Sequence, residues 1–192
     1  SCQLLDADPY VRYRDENGTE ITTNLMGRYN FENIAAALCV GKFFDVDATA
    51  ANEAVKNYTP ANNRSQVYKK GSNTILMDAY NANPTSMLAA LKNFSEMKHK
   101  PRVAILGDMY ELGPEAEKEH QAVGTTAGSY KFDETIYVGN SMAMAKSAHS
   151  EAVYCKDKRS LIAYLKEKQF QNAHILIKGS RAMGLEEIVQ YL

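Results

Sequence analysis

Acids and amides crowd one kind of position in this sequence, the end of a short apolar run. In ILMDAYNANP, residues 75–84, three apolar residues lead into Asp78, then Asn81, Asn83 and Pro84. Asp78 suits an acceptor for paired hydroxyls such as a ribose diol, a role that strand-end acids take in nucleotide sites. The plainer reading is a turn carboxylate. Asn83 before Pro84 matches an N-cap and the first helical position, whereas Asn81 has no such duty and can face a ligand. In LGDMYELG, residues 106–113, Asp108 and Glu111 lie close together. Two acids without a third ligand suit binding an ammonium, or supporting other ligands from behind, better than forming a complete metal site, and the plainer reading is a solvated, capped loop. In IKGSRAMGLEE, residues 177–187, Lys178, Ser180 and Arg181 stand at an expected helix start. Backbone N–H groups and the helix dipole favour an anion there. Cations at that end oppose the dipole, so an anionic ligand is the expected reason for them.

These residues need a scaffold, and its pattern is legible. YVRYR, residues 10–14, alternates like a strand, and DENG, residues 15–18, is a turn before a second strand near 19–24. A helix is expected from Asn30, with Asn30 as cap and Ile34, Leu38 and Phe43 near one face. Asn30 and Asn33 lie one helical turn apart on one side of it. A second helix runs over about 48–58. This hairpin and two helices are too little for an independent α/β core. Beyond TPANNRSQ, residues 59–66, short apolar runs alternate with amphipathic stretches. Strands are expected at 74–78, 103–107, 135–139, 152–155 and 175–178. Helices are expected at 84–98, 115–130, 141–147, 161–168 and 184–192, the last on the spacing of Leu185, Ile188, Val189 and Leu192. That alternation means a mostly parallel sheet covered on both faces. The boundary falls between Tyr58 and Asn63, giving expected domains of 1–60 and 61–192.

Composition removes several classes of function. The chain has 192 residues, 45% hydrophobic and 23% charged, with a net charge of -1. This suits one ordinary domain, or one plus a fragment, and gives no reason to expect nucleic acid as a partner. No apolar run approaches the roughly 20 residues that span a bilayer, so no membrane partner is expected. Cys2, Cys39 and Cys155 are odd in number and lack metal-like spacing, and read as reduced thiols of a cytoplasmic protein. His99, His120, His149 and His174 are scattered without ligand spacing and are expected on the surface or in the core. No metal site is expected, and no G-x-x-x-x-G-K-[ST] loop occurs in the sequence. The opening SCQLLDADPY has no initiator methionine and enters mid-pattern, so the chain is expected to be cut from something longer.

Five stretches together resemble the Mur ligases of peptidoglycan synthesis: GRYNFENIAAAL, NNRSQ, MDAYNANPTSMLAAL, ILGDMYELG and KGSRAMGLE, spanning Gly27 to Glu186. DAYNANP and LGDM-ELG point to the member that joins D-Ala-D-Ala to UDP-N-acetylmuramoyl-tripeptide. The resemblance implies an ATP- and Mg2+-dependent, amide-forming bacterial cytoplasmic enzyme that works through an acyl phosphate. It implies that residues 1–60 end a central ATP-binding domain and that 61–192 form the C-terminal Rossmann-like ligase domain. The partner domains, with the P-loop and Mg2+ ligands, would lie upstream, and this chain alone is expected to be inactive. By resemblance Asn30 and Asn33 lie by the adenine, Arg64 reaches the ATP phosphates as the catalytic cation, and Asp78 holds the ribose. Asn81, Asn83, Asp108, Lys178, Ser180 and Arg181 would shape the dipeptide pocket. Two other readings are a stand-alone nucleotide-binding regulatory module and another Mur or folylpolyglutamate-type ligase. The latter use different residues at the YNANP and LGDM positions.

Overall fold

A computed structural model describes every residue except Ser1, Pro9, Ala61, Asn62 and Arg64. Contacts divide the chain into two compact units, residues 1–61 and residues 62–192.

The first unit is a three-stranded antiparallel sheet with two helices. Strands β1 (Gln3–Asp6), β2 (Tyr10–Arg14) and β3 (Glu20–Met26) pair in that order. The β2–β3 turn forms because Asp15 Oδ1 accepts from the backbone N–H of Asn17 (2.9 Å) and Thr19 (2.8 Å), a local Asx geometry. Alternation then sends Val11, Tyr13 and Ile21 into a small core with Ile34. The Tyr13 hydroxyl donates to Asn52 Oδ1 at 2.7 Å, and burial pushes its pKa up to about 12.

Helix α1 (Tyr29–Phe43) starts one residue earlier than expected, and Asn30 does not cap it. Gly27 turns the chain at φ 82° directly after β3, so Arg28 takes the cap position without a side-chain bond. Phe43 also departs from its expected packed position and is 79% exposed. IAAALCV is apolar around the whole helix, so spacing alone could not choose the face. Helix α2 (Ala48–Asn57) is capped by Asp47, which accepts from Thr49 and Ala50 N–H.

The second unit has the expected α/β architecture, a mostly parallel six-stranded sheet flanked by helices. In chain order it comprises β4 (Gln66–Lys70), β5 (Asn73–Asp78), α3 (Pro84–Glu96), β6 (Arg102–Gly107), α4 (Ala116–Ser129), β7 (Glu134–Val138), α5 (Met142–Ala148), β8 (Val153–Cys155), α6 (Lys158–Lys168) and β9 (His174–Lys178). The spatial order is β4-β5-β9-β6-β7-β8, and β4 is the antiparallel member. From β5 to β8 the chain advances in one direction, and α3, α4 and α5 pack side by side. It then reverses through α6 to insert β9 between β5 and β6. With right-handed crossovers, that reversal puts α6 on the opposite face. There Leu161 and Leu165 join Ile75, Met77, Ile105, Ile175 and Ile177 in one buried cluster.

The expected C-terminal α-helix is instead a pair of 3-10 segments, Arg181–Met183 and Leu185–Tyr191. Leu185 and Ile188 are fully buried, and their spacing of three suits a three-residue turn as well as an α-helical one. Strands β1 and β4 were not legible as strands: β4 reads QVYKK and is a half-covered edge.

Candidate functional site at the carboxyl edge of the sheet

The last strand in sequence, β9, lies between two earlier ones. The chain leaves β5 toward α3 on one face, while after β9 it runs into the 3-10 segments that pack with α6 on the other. Neighbouring strands whose connections part in this way open a crevice at their carboxyl ends, where open α/β sheets bind ligands.

Asp78 and Lys178 end β5 and β9 as direct partners in the parallel register. Lys178 Nζ donates to Asp78 Oδ2 at 2.6 Å and to the Asn81 carbonyl at 3.2 Å. Its side chain is 1% exposed, against 24% for Asp78. Asp78 Oδ1 also accepts from the Ser65 N–H at 3.3 Å. Lys178 thus ends a strand rather than standing at the expected helix start. It is a buried strand residue, and the anion it meets is Asp78.

Asn81 is exposed at the rim. Asn83 is engaged in a complete capping box: its Oδ1 accepts from Ser86 N–H at 2.8 Å, and Ser86 Oγ accepts from Asn83 N–H at 3.2 Å. This is the capping role expected for Asn83 ahead of Pro84. Asn83→Ala is expected to lower the stability of the chain by about 1 kcal/mol, measured by urea unfolding. An unchanged midpoint would remove the cap as the reason for this asparagine.

Asp108 also differs from its expected place. It is 4% exposed, and its Oδ1 accepts from the Met142 N–H at 2.9 Å, at the first turn of α5. A carboxylate there complements orphan N–H groups and the positive end of the dipole, so an anchor for α5 explains it better than an acceptor for a ligand's ammonium. Gly139 packs onto this carboxylate, a partner that sequence reasoning did not single out: a Cβ there would stand 2.4 Å from the Asp108 carboxyl carbon. Burial and then the Asp108 charge raise the pKa of two exposed tyrosines, Tyr110 and Tyr154.

Ser180 is buried and ties neighbouring loops together: its N–H donates to the Asp108 carbonyl at 3.0 Å, and its Oγ accepts from Tyr110 N–H at 2.9 Å. Arg181 is exposed and paired with Glu186 at 2.9 Å, on a three-residue turn rather than a helix with an anion-binding end. At Gly107, at the end of β6, a Cβ would lie 2.5 Å from Met183 Sδ, so a larger residue there would have to displace the Met183 side chain. His120 is buried beneath the 108–110 loop. Its Nε2 accepts from Met109 N–H at 3.0 Å, which assigns the proton to Nδ1, facing the Ala116 carbonyl at 2.6 Å.

In the first unit, Asn30 is buried, donating to the Met26 carbonyl at 2.7 Å and accepting from Asn33 Nδ2 at 3.0 Å. It fixes α1 to the end of β3 and aims the exposed Asn33. Arg64 lies outside the described residues. Among the described residues no three His, Cys, Asp or Glu side chains converge as metal ligands. No helix among them is long and apolar enough to cross a membrane.

An open α/β sheet with polar strand ends around an inserted last strand defines a class of domains with a ligand crevice at the carboxyl edge. The family profile described as Mur ligase, glutamate ligase domain matches residues 63–181, and the chain belongs to that family. Among curated relatives, the UDP-N-acetylmuramoyl-tripeptide--D-alanyl-D-alanine ligase of Escherichia coli (strain K12) is 33% identical over 176 residues, covering 90% of this chain and 39% of that protein. The Bacillus subtilis (strain 168) enzyme of the same name is 31% identical, covering 93% of this chain and 43% of its own length. The chain thus spans about two fifths of these relatives. A crystal structure of MurF from Acinetobacter baumannii superposes with a TM-score of 0.84 at 23% identity, over 99% of this chain and 43% of that one. MurF ligase from Thermotoga maritima in complex with ADP gives 0.78 at 18% identity, over 100% and 44%. At these identities the superpositions speak for the fold.

Proposed function

We propose that the chain is the C-terminal part of an ATP-dependent ligase that adds D-Ala-D-Ala to UDP-N-acetylmuramoyl-tripeptide in the bacterial cytoplasm. Residues 1–60 would end the ATP-binding domain and 61–192 form the ligase domain. The observation that carries this reading is family membership together with relatives of that one activity matching about nine tenths of the chain.

In this reading the chain's residues bind and orient. Asp78, partly exposed at the rim, accepts hydrogen bonds from the ribose diol, and Asn33, aimed by Asn30, lies toward the adenine. Arg64 meets phosphoryl charge, where a planar guanidinium is most effective. The exposed Asn81 and Arg181 face the dipeptide, with Ser180 holding the loops beneath them and Asp108 fixing α5 behind. ATP supplies the phosphoryl group that turns the tripeptide carboxylate into an acyl phosphate, which the dipeptide amine attacks as phosphate leaves. No G-x-x-x-x-G-K-[ST] loop occurs in these 192 residues, and in this reading the P-loop and the Mg2+ ligands would belong to the rest of the ligase. Catalysis by this part is a matter of holding the amine in line and excluding water on closure.

Phosphate release by the full-length enzyme is expected to require ATP, UDP-N-acetylmuramoyl-tripeptide and D-Ala-D-Ala together, and the 192-residue chain alone to give none. Turnover by the chain alone, or full-length turnover indifferent to the dipeptide, would overturn the proposal.

A further inference from the structure

The structure gives Lys178 a task other than contact with a ligand. With 1% of its side chain exposed, it cannot reach a bound anion without leaving Asp78. Yet stability alone is a poor reason for it, because a buried ion pair contributes little that a well-packed apolar pair would not. An apolar pair cannot hold a carboxylate in one orientation at the rim, and this lysine does. Its ammonium grips Asp78 Oδ2 at 2.6 Å from inside the sheet, while the Ser65 N–H meets Oδ1 at 3.3 Å. Asp78 itself keeps 24% of its side chain exposed. The same ammonium takes the Asn81 carbonyl at 3.2 Å and so fixes the loop that displays the Asn81 side chain.

We propose that Lys178 is a positioning residue for nucleotide binding, acting through Asp78 and never touching the ligand. The proposal rests on the reading of Asp78 as the ribose acceptor. One buried cation then sets the carboxylate for the nucleotide and the first turn of the loop beside it, across a strand pair whose members lie 100 residues apart in sequence.

The test uses the full-length ligase with Lys178→Met, Asp78→Asn and the double variant. For each, KM for ATP, KM for D-Ala-D-Ala, kcat and the thermal midpoint are measured. Lys178→Met is expected to raise KM for ATP about tenfold, equivalent to about 1.4 kcal/mol, with KM for the dipeptide and kcat little changed. A loss confined to the thermal midpoint would overturn the proposal, as would a rise in KM for the dipeptide instead. If Lys178→Met alone does not fold, the double variant decides: it should bind ATP no worse than Asp78→Asn, and a further loss beyond that of Asp78→Asn would mean that Lys178 meets the ligand itself. Asp78→Asn separates the two levels of the argument. If it raises KM for ATP and Lys178→Met does not, only the positioning role fails. If it leaves KM for ATP unchanged, the ribose reading fails and this inference with it.

Discussion

Gly139→Ala is expected to destabilise the second unit by about 2.5–5 kcal/mol, more than any cap or surface change on the same rim. Gly139 has φ +117°, and an added Cβ would stand 2.4 Å from the Asp108 carboxyl carbon. Two costs combine. A side chain at positive φ costs roughly 1–2 kcal/mol, and losing a hydrogen bond to a charged group costs about 1.5–3 kcal/mol. Asp108 cannot step aside cheaply, because its carbonyl accepts from Ser180 and its carboxylate from Met142. Urea unfolding followed by far-UV circular dichroism would read the change, the chain having no tryptophan. A shift below about 1 kcal/mol, within the range of ordinary surface substitutions, would show that Asp108 moves freely and does not anchor α5.

What the sequence displayed and what it concealed follow one physical line. Features set by neighbours in the chain were legible: the Asn83–Pro84 start of α3, the Asp15 turn, and the apolar strands β5, β6, β7 and β9. Features set by pairing across the sheet were not. Nothing local in KGSR shows that Lys178 will be buried beside Asp78, since that follows from the insertion of β9 between β5 and β6. The cationic pattern was visible, but the anion it answers belongs to the protein. Asp108 is parallel: its residue type suggested a ligand contact, and its register beside β7 turned it toward α5. Strand β4 escaped because an edge with one half-covered face needs no continuous apolar run, and the C-terminal turns because a spacing of three fits two kinds of helix.

The Lys178 pairing also changes how Asp78 should be tested. Asp78→Ala is expected to destabilise the chain by about 3–5 kcal/mol, because it leaves a buried ammonium without its counter-charge. The remaining contact to the Asn81 carbonyl does not neutralise that charge. Removing both charges in Asp78→Ala/Lys178→Met should recover most of the loss, since a buried ion pair and an apolar replacement are often close in stability. Urea unfolding of the single and double variants reads this directly. A double-variant loss equal to the sum of the losses of Asp78→Ala and Lys178→Met would mean that the pair is not coupled and that Asp78 matters to folding for another reason, such as its bond to Ser65. In the full-length enzyme, Asp78→Ala should raise KM for ATP much more than KM for D-Ala-D-Ala. That comparison should be made in the double variant as well, because a strained rim would weaken both substrates alike. A selective loss for ATP that survives once stability is restored belongs to the carboxylate itself.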